Sequence, residues 1–283
     1  MRTGANLAEM KAEQPNAASA RPFLKWAGGK TQLLPQFRSF IPKSFKTYHE
    51  VFLGGGALFF SLGPDAARLT DLNTELIDCY RAIRDDVDGV IAALRKHRYD
   101  KDHFYQVREL APDSLSLAAR AARMIFLNKT AFNGLYRVNS SGRFNVPFGR
   151  HKNPLICDTE NLRACSAALT HATVEVADFS AVADHAKRGD FVYFDPPYVP
   201  VSETSYFTSY AVGGFTWDDQ RRLADVLRVL SKKRVKVMLS NSDAPQLRAL
   251  YSEFRIEQVE ATRRINSQVA GRGKITEIVV LNY

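Results

Sequence analysis

Short apolar runs alternate with amphipathic segments along much of this chain. The runs at residues 48–52, 68–70, 173–176, 191–194 and 235–240 have the composition of buried parallel strands. Apolar residues recur at helical spacing at 57–62, 217–230 and 244–251, and Thr216 stands at the N-cap position before the second of these segments. Two further runs, 254–260 and 277–281, predict a closing pair of strands. The pattern predicts an α/β fold with a mainly parallel sheet.

The alternation breaks between about residues 85 and 161. Helical patterns cover 86–98, 102–110 and 117–131, and alternating apolar and polar residues then flank a Ser140-Ser141-Gly142 turn, which predicts a β-hairpin. Residues 1–20 have no periodicity and are predicted to form a flexible tail. We therefore expect a catalytic domain made of residues 21–84 and 162–283, with a mainly helical domain inserted at 85–161.

Two segments near the carboxyl end add features that lie outside this pattern. Residues 199–215 are rich in Ser, Thr, Tyr and Gly, as in a loop that covers a site or contacts a substrate. A second basic loop carries Arg263, Arg264, Arg272 and Lys274.

Charge and composition narrow the class of protein. The 283 residues carry a formal net charge of +9, which fits a polyanionic partner. No stretch has the apolar length of a membrane span or a signal-peptide core, so we expect a cytoplasmic protein without a membrane partner. Cys79, Cys157 and Cys165 form no Cys-x-x-Cys pair, and neither a disulfide framework nor a metal site is expected.

The strand at 191–194 ends in the sequence Asp195-Pro196-Pro197-Tyr198. Ligands bind at the carboxyl ends of strands in open α/β sheets, so this acid is placed at a candidate site. A carboxylate and a backbone carbonyl that accept the two N–H bonds of an exocyclic amine would aim its lone pair at an electrophile. Tyr198 could stack on an extruded base. Taken alone, the four residues are equally consistent with a rigid loop after a strand.

Two glycine-rich segments predict a small-molecule site. The segment 23–31 ends like a phosphate-binding loop, but Leu24 stands where that motif needs a glycine, which disfavours a nucleoside triphosphatase. The second segment, Gly54-Gly55-Gly56, follows a predicted strand, and Phe59 replaces a glycine of the dinucleotide fingerprint. Asp71 ends the next strand, where an acid can accept hydrogen bonds from ribose hydroxyls. An adenosine-containing cofactor is the resulting prediction.

Taken in order and spacing, five motifs resemble the Dam-type, alpha-class DNA N6-adenine methyltransferases. They are residues 23–30, 52–56, Asp71-Leu72-Asn73, 133–149 and 195–198. The resemblance covers nearly all of 21–283. It implies a Rossmann-like, S-adenosylmethionine-dependent methyltransferase sheet of seven strands with a helical target-recognition insertion, and it implies methyl transfer to adenine in duplex DNA after base flipping.

The resemblance also implies roles for single residues. S-adenosyl-L-methionine is expected to contact Trp26, Lys30, Phe52, Gly54, Asp71, Asp178, Phe179 and Asp195. The adenine pocket is expected to consist of Asp195, Pro196 and Tyr198. Contacts with double-stranded DNA at GATC are expected from Lys25, Asn133, Leu135, Arg137, Arg143 and Pro147.

Two positions depart from the pattern of the family. Val51 stands where relatives often have proline, and Phe132 stands where some place a tyrosine against the DNA stack. The first is expected to adjust packing only. The second leaves open how the target base is extruded.

Other functions remain open at this stage. A cytosine-C5 enzyme is disfavoured because none of the cysteines follows a proline. Methylation of cytosine N4, RNA or a protein amide shares the amine chemistry, and a catalytically silent DNA-binding module is the alternative from another class. The sequence does not indicate an oligomeric state or whether the enzyme serves a restriction system, a phage or a regulatory role.

Overall fold

A computed structural model describes residues 20–198, 214–262 and 274–283. The predicted tail up to residue 19 lies outside the described residues, as do 199–213 of the predicted loop and Arg263, Arg264 and Arg272 of the second basic loop.

The described residues form one sheet of seven strands in the order β3-β2-β1-β4-β5-β7-β6. The strands are β1 Tyr48–Glu50, β2 Ala67–Asp71, β3 Ala172–Val176, β4 Phe191–Phe194, β5 Lys236–Ser242, β6 Arg255–Thr262 and β7 Lys274–Leu281. The pairs among the first five strands are parallel, whereas β7 runs antiparallel to both β5 and β6. This arrangement confirms the predicted α/β methyltransferase sheet.

Ten α-helices are found in the described residues. They are α1 Leu34–Phe37, α2 Ala57–Leu62, α3 Thr74–Asp85, α4 Val87–Leu94, α5 Lys101–Glu109, α6 Leu117–Thr130, α7 Thr159–Leu169, α8 Val182–His185, α9 Trp217–Lys232 and α10 Pro245–Leu250. The predicted cap of α9 is confirmed, since Thr216 and Asp219 form a reciprocal capping box.

The two faces of the sheet are covered differently. On one face, apolar side chains of α9 and α10 pack on β4 and β5 in a cluster that includes Leu223, Leu247, Val192 and Val237. On the other face, a larger cluster joins strand residues such as Leu69 to α6 residues such as Phe126. The segment between β2 and β3 therefore shares a continuous core with the sheet, which fixes its position relative to the strand ends.

Several element ends differ from the sequence pattern. The helix predicted over 86–98 ends at Leu94, because His97 instead stacks on Phe126 of α6 with ring centroids 4.6 Å apart. The strand predicted over 48–52 ends at Glu50. Helices α3 and α7 were not predicted, since they lie at the borders where the alternation changes.

The predicted hairpin is present in a short-paired form. Arg143 and Asn139 are joined through their backbones across the turn, with the amide of Asn139 donating to the carbonyl of Arg143 at 2.9 Å. Pairing between the two arms consists of the isolated bridges Val138 to Phe144 and Ala131 to Phe148, and no continuous strand forms in this described segment. The hairpin is anchored by buried Phe144 and Val146, which join the larger core.

Candidate active site and nucleic-acid interface

The carboxylate of Asp195 lies directly after β4, at the carboxyl edge of the sheet. Its Oδ1 atom lies 2.8 Å from Lys30 Nζ and accepts a hydrogen bond from Ser240 Oγ at 3.0 Å. Lys30 Nζ also donates to the carbonyl of Gly28 at 2.7 Å. Two groups therefore hold one oxygen, and no described residue donates a hydrogen bond to Oδ2. The carboxylate is fixed through Oδ1 alone among the described residues.

Burial raises the pKa of Asp195 above its ordinary value, and the charge of Lys30 and the hydroxyl of Ser240 oppose that rise. Ser240 comes from β5, next to β4 in the sheet, and is fully buried. Its hydroxyl also meets Tyr193 Oη at 2.9 Å. The sequence pattern gave no sign of Ser240, because a serine within an apolar strand reads as ordinary core.

Tyr198 is held from the opposite side of the site. Its hydroxyl donates to Glu277 Oε2 on β7, and Lys30 Nζ lies 4.3 Å from the centre of its ring. The carbonyl of Pro197 accepts a hydrogen bond from buried Gln220 at 3.5 Å. The loop after β4 is thus braced by both α9 and β7.

The glycine-rich segment after β1 packs against Trp26. Gly54 has φ of +48°, and a Cβ atom there would lie 2.7 Å from Trp26 Cδ1, so both the conformation and the space require glycine. The amides of Gly54 and Asn73 donate to the carboxylate of Asp71 at 3.1 and 3.0 Å. Burial raises the pKa of Asp71, and these amides oppose the rise. As predicted, this acid ends β2.

An aromatic group lies at the strand edge near these residues. The ring of Phe52 is 5.6 Å from that of Phe179 in a stacked arrangement, and Phe215 is 5.7 Å from each of them. The carboxylate of Asp178 is not part of this lining. It caps the turn at Ser180 and pairs with Arg222 at 2.8 Å.

One cavity of about 1050 Å³ joins these groups. Among the predicted site residues, it is lined by Trp26, Lys30, Phe52, Gly54, Asp71, Phe179, Asp195, Pro196, Tyr198 and Arg143. Ligand pockets usually measure about 300 to 1,000 Å³, so this cavity has room for more than one ligand group. The residues predicted to contact the cofactor and those predicted to contact the target base therefore line the same cavity, with the exception of Asp178.

Glu50 also lines this cavity and was missed in the sequence. It accepts hydrogen bonds from Tyr48 Oη and from the amide of Phe59, each at 2.9 Å. Burial raises its pKa to about 8. From the sequence alone, a buried acid that lines a cavity cannot be distinguished from a solvent-exposed acid at the end of an apolar strand.

Lys25 and the hairpin are joined through Asn128 of α6. The Asn128 side chain accepts from the amide of Lys25 and donates to its carbonyl, both at 2.8 Å, and it donates to the carbonyl of Gly134 at 3.1 Å. Asn128 is fully buried, so this junction is part of the core. It places Lys25 beside Asn133, which has φ of +57°.

The remaining predicted DNA contacts lie along the hairpin. Asn133, Arg137, Arg143 and Pro147 are exposed, and Leu135 is half-buried. Arg137 Nε donates to Asn145 Oδ1 across the hairpin at 2.7 Å, which holds the guanidinium on the exposed face. Trp26 stacks on Tyr136 with ring centroids 5.1 Å apart, and this contact joins the hairpin to the glycine-rich side of the cavity.

No group of side chains suited to a metal ion occurs among the described residues. Within the same part of the chain, no helix combines the length and the apolar character needed to cross a bilayer.

The chain matches known proteins over most of its length. The model of the D12 class of N6 adenine-specific DNA methyltransferases matches residues 26–265. The type II methyltransferase M1.LlaDCHI of Lactococcus lactis subsp. cremoris is 46% identical, over 95% of this chain and 98% of the relative. M.MjaIII of Methanocaldococcus jannaschii is 42% identical, over 93% and 99%.

The DNA adenine methylase of Escherichia coli K12 is 34% identical, over 92% of this chain and 95% of the relative. These matches agree with the seven-stranded sheet and with the position of Asp195 at its carboxyl edge. The chain belongs to the D12 class of N6-adenine-specific DNA methyltransferases.

Proposed function

We propose that this enzyme transfers a methyl group from S-adenosylmethionine to N6 of adenine at GATC in duplex DNA, after flipping the target base from the helix. The observation that carries the proposal is the anchored carboxylate of Asp195. It lies beside Pro196 and Tyr198 in the same cavity as Asp71 and Trp26. The family membership makes S-adenosylmethionine the methyl donor.

The lining of the cavity fits that donor. The rings of Phe52 and Phe179 would hold its adenine, and Asp71 would accept hydrogen bonds from its ribose. Trp26 and Lys30 would border its methionine portion, and Gly54 lets the backbone approach closely. Asp178 would act from the margin, because its carboxylate is held by Arg222 outside the lining. When bound, S-adenosylmethionine supplies an electrophilic methyl group.

Asp195 would orient the amine of the target adenine. Lys30 and Ser240 occupy Oδ1, so Oδ2 would accept one N–H bond of the amine and the carbonyl of Pro196 would accept the other. Both acceptors draw the nitrogen towards tetrahedral geometry and aim its lone pair into the cavity. The residues position the amine without forming a covalent bond to it.

An extruded base would stack on Tyr198. Its ring is fixed by the hydrogen bond to Glu277, so little conformational freedom is lost when the base enters. Phe132 is 52% exposed next to Asn133 and would fill space in the duplex near the extruded base.

We propose that residues 85–161 form the target-recognition domain, which would read the DNA sequence. This domain is inserted between the two parts of the catalytic domain, residues 21–84 and 162–283. Lys25, Asn133, Leu135, Arg137, Arg143 and Pro147 are proposed to contact the duplex. An arginine can donate two hydrogen bonds to the O6 and N7 atoms of guanine in the major groove. We propose that the reaction takes place in the cytoplasm, where DNA is available.

Specificity can be tested with the purified full-length enzyme. Plasmid DNA lacking methylation would be incubated with S-adenosylmethionine and sequenced with single-base detection of modified nucleotides. We expect modified adenine confined to GATC. Modified adenine at another sequence would refute the site assignment alone, whereas modified cytosine would refute the choice of base.

A further inference from the structure

A second basic surface lies outside the catalytic cavity, where α4 leads into α5. We name the following six residues the α4–α5 basic surface: Arg95, Lys96, Arg98, Lys101, Arg150 and Lys152. All six are exposed. None of them lines the cavity or belongs to the residues expected to contact the recognition site.

The two segments that carry these side chains are joined through Tyr99. Its hydroxyl donates to the carbonyl of Gly149 and accepts from the amide of His151, both at 2.6 Å. Its ring lies 5.0 Å from that of Phe148. His97, two residues earlier, stacks on Phe126 of α6. The surface is therefore held on a single packed unit.

The charge of this surface is not neutralised by the rest of the described chain. None of its six basic side chains forms an ion pair with another described residue. The acids beside these residues are Asp100, which caps α5, and Asp102 in its first turn, so six positive and two negative side chains leave a net charge of +4. The chain as a whole carries +9. This small area thus holds almost half of the excess.

Arginines on the other side of the molecule behave differently. Along α9 and α10, each of the following pairs with at least one carboxylate: Arg221, Arg222, Arg228 and Arg248. Paired arginines offer little attraction to a polyanion, since their field is cancelled at short range. The residues of the α4–α5 basic surface form no such pairs with described residues, and neither do exposed Lys187, Arg188 and Lys232 near the amino ends of β4 and β5. What distinguishes the α4–α5 basic surface from these residues is its position beside the hairpin.

The basic surface is continuous with the hairpin. The amide of Gly149 donates to the carbonyl of Thr130 at 2.8 Å, and the amide of Phe132 donates to the carbonyl of Pro147 at 2.9 Å. Pro147, expected to contact the recognition site, lies just before Gly149 and Arg150, and Asn133 directly follows Phe132, which is hydrogen-bonded to Pro147. A duplex seated on the hairpin would extend past this surface.

We propose that the α4–α5 basic surface binds the phosphate backbone of duplex DNA beside the recognition site. This inference rests on the proposed function, because it assumes a duplex on the hairpin. Lysine and arginine contacts with phosphate position a duplex without reading its sequence. The surface therefore contributes affinity that depends on the length of the flanking DNA and on salt, and it leaves the choice of target sequence to the hairpin.

The test uses the full-length enzyme and two duplexes with the same central site, one of about 10 and one of about 30 base pairs. Binding is measured by fluorescence anisotropy over a range of salt concentrations. In the triple variant Arg95→Ala/Lys96→Ala/Arg98→Ala, we expect the slope of log Kd against log salt on the long duplex to fall by about 2 to 3, since each phosphate contact contributes about 0.9. On the short duplex, the slope and the turnover number should match the wild type.

A matched control removes the same charge elsewhere. Lys187, Arg188 and Lys232 are exposed and lie near the amino ends of β4 and β5, at the edge of the sheet opposite the site. Their triple alanine variant should keep the wild-type slope on both duplexes. An equal loss of slope in this control would show that the effect comes from the net charge of the protein and not from the α4–α5 basic surface. An unchanged slope in the first variant would refute the proposal that this surface binds DNA.

Failure of the proposed function would be recognised separately. In that case, the wild-type enzyme would not methylate the central site of either duplex. If it methylates both duplexes and binds them with equal affinity and equal slope, the proposed function stands and the flanking contact is overturned.

Discussion

Ser240→Ala should slow methyl transfer while leaving DNA binding intact. The substitution removes the hydroxyl that donates to Asp195 Oδ1 at 3.0 Å, and it leaves Lys30 on the same oxygen at 2.8 Å. A hydrogen bond to a charged group contributes about 1.5 to 3 kcal/mol, which corresponds to a rate change of about 13- to 160-fold. Because Lys30 still holds the carboxylate, we expect the lower part of that range.

The same substitution carries a cost in stability that must be separated from its effect on catalysis. Tyr193 Oη, which is buried, meets Ser240 Oγ at 2.9 Å and would lose this partner. An unpaired buried hydroxyl costs about 1 to 3 kcal/mol. The double variant Ser240→Ala/Tyr193→Phe removes both hydroxyls, so it should recover stability while remaining slow.

The assay measures single-turnover methylation of a duplex at saturating S-adenosylmethionine, together with thermal unfolding of each variant. Removal of the Ser240 hydrogen bond also raises the pKa of Asp195, because that bond favours the charged carboxylate. The titratable groups around Asp195 that remain in place include Lys30, Glu50, Tyr198 and Glu277. The acid limb of the rate against pH should therefore move to higher pH.

Two results would refute this account of Ser240. One is a wild-type rate in Ser240→Ala at every pH. The other is recovery of both rate and stability in the double variant, which would show that the serine acts only by packing. Ser231→Ala on α9, where the hydroxyl donates to the carbonyl of Leu227, serves as a matched loss of a hydroxyl away from the site.

Four further predictions follow from the same geometry. Asp195→Ala should abolish methyl transfer and leave DNA affinity within a few-fold, as measured by turnover and anisotropy, because phosphate contacts come from lysine and arginine elsewhere. Asp71→Ala should weaken S-adenosylmethionine in calorimetric titration by about 1.5 to 3 kcal/mol through loss of a charged acceptor, and an unchanged Kd would place Asp71 outside the site. Arg137→Ala should slow methylation of GATC more than that of sites altered at the base it reads, whereas a uniform loss over single-base variants would indicate a phosphate contact. Folding raises the pKa of Glu50 from 4.5 to about 8, so the protonated acid stabilises the fold at low pH and this stabilisation is lost as pH rises through that interval. The unfolding temperature of Glu50→Gln, relative to that of the wild type, should therefore rise between these pH values. A difference that stays constant with pH would show that the pKa of Glu50 is not raised by folding.

The parts of the fold that follow from local pattern were predicted well. Buried parallel strands are continuous apolar runs, so β4 and β5 stood out, and Asp71 and Asp195 were placed at strand ends by the residues that follow them. The cap at Thr216 was readable because capping depends on a few adjacent side chains. The glycine-rich turn after β1 was predicted from consecutive glycines, and the backbone at Gly54 requires that residue because its φ is positive and Trp26 lies close to it.

The contacts that could not be predicted join distant parts of the chain. Ser240 reaches Asp195 from β5, Glu277 reaches Tyr198 from β7, and Asn128 joins Lys25 to Gly134. These contacts depend on strand order and on the packing of α6, which no local pattern encodes. The predicted β-hairpin pairs only through isolated bridges. The backbone at Phe132–Gly134 forms a 3-10 turn there and does not continue the pairing between the two arms.

The most direct test of the central claim identifies the methylated atom. The wild-type enzyme and Asp195→Ala would each be incubated with a GATC duplex and S-adenosylmethionine carrying an isotopically labelled methyl group, and the DNA would be digested to nucleosides for mass spectrometry. We predict label in N6-methyldeoxyadenosine with the wild type and none with Asp195→Ala. Label in N4-methyldeoxycytidine, or equal label from the Asp195 variant, would contradict the account.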